Sequence, residues 1–196
     1  WSASAVTPAS TAWNDNGDTT AVFMGSGGTI TLAAPLSANG LIFTAPGYTL
    51  AGTQPIALNG ALTTLDAKTF GASISAPLTG MGGISVAGAG TLTLSGANSY
   101  NGTTTVENGT LALSGGDNRL PPGTVVKLGG GGPAAFGCLK LNGCSQELAG
   151  LWTADYDNGA TAGNRVINGS ATPCTLTLNI EGGRNDQFDG TLGGSG

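Results

Sequence analysis

GAGTLTLSGANSYNGTTTVENGTLALSGG, at Gly88–Gly116, carries one short pattern twice. A small residue leads into alternating polar and aliphatic residues, and Gly, Ser or Asn ends the run. In TLTL the alternation sends Leu92 and Leu94 to one face of a strand, with Thr91 and Thr93 on the other. TLAL repeats this with Leu111 and Leu113. The pattern extends both ways: GGTITL at Gly27–Leu32, GTVVKLGG at Gly123–Gly130, GCLKLNG at Gly137–Gly143 and CTLTLN at Cys174–Asn179. A looser unit also recurs, as ISAPLTGMGG at Ile74–Gly83 and FDGTLGGSG at Phe188–Gly196. Self-similarity of this kind marks a repeat architecture, in which each unit buries its apolar face against its neighbours.

Composition narrows the choice further. The chain has 196 residues, of which 36 are Gly, and hardly any ten-residue window lacks Gly or Pro. Interior Gly costs a helix roughly 1 kcal/mol relative to Ala, so short strands and tight turns are expected throughout. Six Lys+Arg against 11 Asp+Glu leave no basic footprint for nucleic acid. Without His, neither Ser-His-Asp catalysis nor an imidazole metal site is available. No apolar run is long enough for a membrane-spanning helix. The opening, WSASAVTPAS, lacks the basic start and apolar core of an intact export signal, and reads as a mature or trimmed end.

Two architectures accommodate many short strands with one inward face: an antiparallel sandwich or barrel, and a parallel β-helix. Asn-Gly pairs at 39–40, 101–102, 108–109 and 142–143, among others, are compatible with hairpins. The strands, however, are short, Gly-dense and closely alike, which favours stacked coils with like residues about 4.8 Å apart. The expected fold is therefore all-β, a single parallel β-helix of roughly 8–9 coils with an aliphatic core, about 40 Å long. Residues 1–26 are expected as an N-terminal cap and 27–196 as the β-helix repeats.

The 88–116 stretch resembles the autotransporter-associated β-strand repeat, also called the passenger-associated transport repeat. LPPGTVVKLGG, CLKLNGCSQELAGL and NRVINGSATPCTLTLNIEGG resemble following coils, and WNDNGDTTAVF the start of such a passenger. The resemblance implies a right-handed β-helix, export to the bacterial surface or medium, and no catalytic residues or cofactor. Three Cys depart from the usual repeat.

Candidate sites are few. Cys138 and Cys174 flank alternating strands and are the first candidates for a disulfide, with Cys144–Cys174 as the alternative. Trp152 and Tyr156 form the one close aromatic pair, expected in an inserted loop at Leu151–Arg165 that packs over a coil or meets a glycan. Asn-Gly-Thr and Asn-Gly-Ser sequons read as turns, because both residues tolerate positive φ. Asp155/Asp157, Asp15/Asp18 and Gly182–Asp189 are poor fits to calcium loops. Thr29/Thr31, Thr91/Thr93 and Thr175/Thr177 suggest an outward hydroxyl ladder, interrupted by Ala112, Lys127 and Lys140. Arg119, Arg165 and Arg184 are isolated, and no pair of acids recurs on neighbouring coils, which disfavours β-helix lyase or hydrolase chemistry.

The expected function is structural: a secreted or surface scaffold, with an adhesin or carbohydrate-binding module as runner-up. A β-helix has two open ends with unpaired backbone groups. The expected partner is therefore a second copy, joined head to tail through Phe188, Leu192, Gly193 and Gly194 at one end and residues near Trp1 at the other.

Overall fold

The structure, a computed structural model, describes residues 19–132, 134–154 and 163–194. Each coil visits three faces in turn. The first coil comprises β1 (Thr20–Phe23), β2 (Thr29–Thr31) and β3 (Leu36–Ala38); the second, β4 (Gly40–Phe43), β5 (Tyr48–Ala51) and β6 (Ile56–Leu58). The third holds β7 (Leu62–Asp66), β8 (Gly71–Ile74) and β9 (Leu78–Gly80). The fourth and fifth keep only two strands each, β10 (Gly83–Ala87) with β11 (Thr91–Leu94), and β12 (Thr104–Val106) with β13 (Gly109–Leu113). The sixth comprises β14 (Val125–Leu128), β15 (Gly137–Lys140) and β16 (Gln146–Leu148); the seventh, β17 (Gly150–Thr153), β18 (Arg165–Ile167) and β19 (Leu176–Leu178). β20 (Thr191–Gly193) adds a last rung.

The first face is a seven-stranded sheet, β1-β4-β7-β10-β12-β14-β17, and the second an eight-stranded sheet, β2-β5-β8-β11-β13-β15-β18-β20. The third face holds β3-β6-β9 and, further along, β16-β19. Strand pairs on all three faces are parallel, as between β1 and β4, β11 and β13, and β16 and β19. The expected all-β parallel solenoid is therefore the fold, with no α-helix among the described residues. Among the described residues, Thr20–Phe23 already pairs as a coil strand with Gly40–Phe43, within the segment expected to be a cap.

Register stacks like on like. On the second face an inward row runs Tyr48, Ala72, Leu92, Leu111, Leu139, Val166, Leu192. A parallel row begins Ile30, Leu50, Ile74, Leu94, Leu113. Leu92, Leu94, Leu111, Leu113 and Leu139 are completely buried. Each such Leu contributes roughly 1.5–3 kcal/mol through burial. Near the first coil Phe23 and Phe43 stack with ring centroids 4.8 Å apart, and Tyr48 leans on both.

The turns are built for coils at close approach. A methyl on Gly102 would lie 2.3 Å from the Gly83 nitrogen, so only Gly fits at this corner. Asn142 and Gly143 both have positive φ, 51° and 79°, as a tight two-residue turn demands. That turn leads from β15 on the second face to β16 on the third, so Asn-Gly here turns a solenoid corner and makes no hairpin.

The interior is less aliphatic than expected. Where the third face loses its strands, side-chain amides carry the hydrogen bonds. Asn98 Oδ1 accepts from the Leu78 amide at 2.8 Å, and Asn98 Nδ2 donates to the Arg119 carbonyl at 2.7 Å. Gln146 then pairs with Leu120 in both senses, accepting from its N–H and donating to its carbonyl, each at 3.0 Å. Buried backbone groups need partners, and these two side chains supply them across the gap between β9 and β16. A second polar cluster joins Tyr100 to Thr104 at 2.6 Å and Thr104 to Thr124 at 2.9 Å. Burial pushes the Tyr100 phenol well above its usual range, and its hydrogen bond to Thr104 only partly offsets this.

Candidate functional site

The residues expected at a joint or a ligand contact lie near the first and last described coils and on one outward row. At the first coil, Phe23, Ile30, Leu32, Leu36, Leu41 and Leu50 line an apolar recess of about 260 Å³. At the last, Leu141, Val166, Cys174, Leu176 and Leu192 contribute to a second recess of about 250 Å³. The row that is fully buried at Leu92, Leu111 and Leu139 ends in Leu192, which is 61% exposed. Gly193 and Gly194 continue from it, Gly193 giving its carbonyl to the Asn168 N–H at 3.0 Å. Phe188 packs half-buried on the core. Trp1, the other expected joint residue, lies outside the described residues.

Among the described residues, the second face ends in β20 and the first is capped beyond β17. β20 is exposed along its length, at the edge of the second face. On the first face, the Asp186 carboxylate accepts the Leu151 N–H at 2.9 Å and the Gln187 carbonyl accepts the Thr153 N–H at 2.9 Å. Arg184 holds Asp186 at 2.7 Å and also donates to the Ala149 carbonyl at 3.3 Å. Arg184, read as isolated from the sequence, is thus the partner of Asp186. The Gly182–Asp189 stretch uses its acid to cap β17. Gly150 makes room for this cap, since a methyl there would fall 2.0 Å from Asp186 Oδ2.

Trp152 lies on β17 and not in an inserted loop. It stands 37% exposed in an outward row, Thr64, Ser85, Thr105, Lys127, Trp152. The Lys127 ammonium sits 4.6 Å from the centre of its ring. Tyr156, and with it Asp155 and Asp157, lies outside the described residues. The Thr ladder of the second face runs Thr49, Ser73, Thr93, Ala112, Lys140, while Lys127 belongs to the first face and Thr177 to the third.

The three thiols are free. β15, which carries Cys138, stacks between β13 and β18, whereas β19 stacks on β16. Cys138 and Cys174 are therefore on different faces, contrary to the premise that their strands adjoin. Among the described residues no three Asp, Glu or Cys converge to hold a metal ion. Glu147 and Glu181 line a groove with Arg184, but Glu147 is engaged by Asn179 at 2.6 Å and Arg184 by Asp186.

The fold is a repeat solenoid of parallel coils. Residues 85–113 match the family model described as the passenger-associated-transport-repeat, so the resemblance read from Gly88–Gly116 holds. The chain is also similar to the adhesin BmaC autotransporter of Brucella suis biovar 1 (strain 1330), 31% identical over 150 residues. That alignment takes in 74% of this chain and 4% of the relative, so the chain spans a small part of that protein's length. No solved structure matches.

Proposed function

We propose that this solenoid is a scaffold segment of a bacterial surface or secreted passenger, which lengthens by stacking coil on coil with a second copy, head to tail. The observation that supports this reading is the parallel register itself, in which each coil offers the next the same inward row, as from Leu92 to Leu111 to Leu139. Such a contact is heterologous and propagates. The role is architectural, and the relative's description as an adhesin fits a scaffold better than a catalyst. The test is light scattering across a concentration series, with electron microscopy of the same samples. Filaments about one coil-stack wide, abolished by Leu192→Asp, are expected. A monodisperse monomer at high concentration overturns the polymer.

A second reading is favoured by one observation. Trp152 presents a half-exposed ring on a strand, beside Lys127, and aromatic faces of this kind stack on sugar rings. In that reading the first face meets a glycan. Quenching of tryptophan fluorescence by oligosaccharides, lost in Trp152→Ala, supports it; an unchanged spectrum over a broad glycan panel removes it.

A further inference from the structure

We propose that Cys144 and Cys174 form an intramolecular disulfide that fastens the seventh coil to the sixth. β16 and β19 pair with Gln146 opposite Leu176 and Leu148 opposite Leu178. Two residues earlier on each chain stand Cys144 and Cys174, so the same register sets them opposite one another. Contacts next to the pair support that alignment. The Thr175 N–H donates to Ser145 Oγ at 3.2 Å and the Gln146 N–H to the Thr175 carbonyl at 2.8 Å. Neighbouring parallel strands lie about 4.8 Å apart, inside the roughly 4.4–6.8 Å Cα separation that a disulfide spans.

The side chains also share a face. Cys144 is 5% exposed and part of the core cluster, and Cys174 packs against that cluster. Cys138 does not belong to it. It precedes the inward Leu139 on β15, so it points the other way, opposite Thr110 and Arg165. One cysteine of the three is therefore left out by the alternation of its strand.

Both thiols are free in the structure, and closing the bond removes two hydrogens. An external disulfide, such as oxidised glutathione or an oxidised protein dithiol, takes them up by thiol–disulfide exchange. One thiolate attacks the donor to give a mixed disulfide and releases one donor thiol. The second thiolate then attacks the protein sulfur of the mixed disulfide and releases the other. Two protein thiols become one disulfide, and the donor is reduced to two thiols. The bond closes a loop of roughly 30 residues, a length at which cross-linking restrains the unfolded chain substantially.

The test uses the purified chain and oxidised glutathione, followed by alkylation without reduction and peptide mapping. The expected product is one cross-linked peptide pair joining Cys144 to Cys174, with Cys138 alkylated. Cys138→Ser leaves the pair intact, and Cys144→Ser leaves Cys174 open to alkylation or glutathione. Three alkylated cysteines in the wild-type protein, or a bond that includes Cys138, overturns the assignment. Because the oxidant is supplied in the tube, this result is independent of whether the protein is exported.

Discussion

Replacing Gln146 by Leu should destabilise the solenoid, although every scale of hydrophobicity favours the change. Gln146 is 1% exposed and stands opposite Leu176 on a face otherwise lined by Leu and Ile. Leu gains about 2 kcal/mol from its buried apolar surface. Against this, the Leu120 N–H and carbonyl lose the partners they hold at 3.0 Å, in a place where no strand replaces them. Each orphaned group costs about 1–3 kcal/mol. The Glu147 carbonyl, which takes a 2.7 Å bond from Gln146 Nε2, also loses that donor. The balance is a net loss of about 2 kcal/mol, with Gln146→Glu worse because its carboxylate faces the Leu120 carbonyl. Urea unfolding followed by circular dichroism measures the difference, and native-state hydrogen exchange localises it to the Leu120 amide. A Gln146→Leu variant as stable as the wild type, with Leu120 still protected, would refute the amide bridge as the device that spans the third face.

Leu111→Asp buries an unpaired carboxylate and should cost several kcal/mol, whereas Thr91→Asp on the exposed side should change urea stability by about 0.5 kcal/mol or less; equal effects contradict the inward–outward assignment. Thr63 is completely buried and its Oγ1 has no hydrogen-bond partner, so Thr63→Val should stabilise by about 1 kcal/mol in the same assay. Gly102→Ala drives a methyl into the Gly83 backbone and should lower the thermal midpoint well beyond the few tenths of a kcal/mol of a surface change. Tyr100 ionises in the unfolded chain near its ordinary value of 10.0 but resists ionising when folded. The folded state binds that proton more tightly, so stability is complete below pH 10 and falls as pH rises above it, by up to about 1.4 kcal/mol per pH unit. Tyr100→Phe should flatten this part of the profile, and an unaltered alkaline slope would count against it.

The rows of Leu92, Leu111 and Leu139 were legible in the sequence because alternation and repetition are local signals, and parallel coils copy them from rung to rung. The corner glycines were visible for the same reason. Asn98, Tyr100 and Gln146 were not singled out, because a polar residue in a Gly-rich run looks like a turn. Their burial follows from the coil above failing to supply a strand, which is a property of the neighbour and not of the residue. Asp186 likewise reads as a solvated acid until Leu151 is placed beneath it. Trp152 reads as a loop residue because Leu151–Arg165 is the least repetitive stretch, yet β14 fixes it as a strand through Lys127. Nothing local in the sequence signals that Arg184 and Asp186 together cap β17 on the first face.

The parallel register has a mechanical consequence. Hydrogen bonds between rungs lie along the long axis, so a pull on the two ends loads them in tension and opens them one coil at a time. Leu92 and Leu111 are stacked one rung apart, about 4.8 Å, yet the chain between them is roughly 19 residues long. Stretched out, that length reaches about 65 Å. Each coil surrendered therefore pays out more than ten times its own height, while the coils on either side stay folded. A rod of this kind, pulled along its axis, yields by lengthening before it breaks, and each lost coil has its neighbour as a template for winding back.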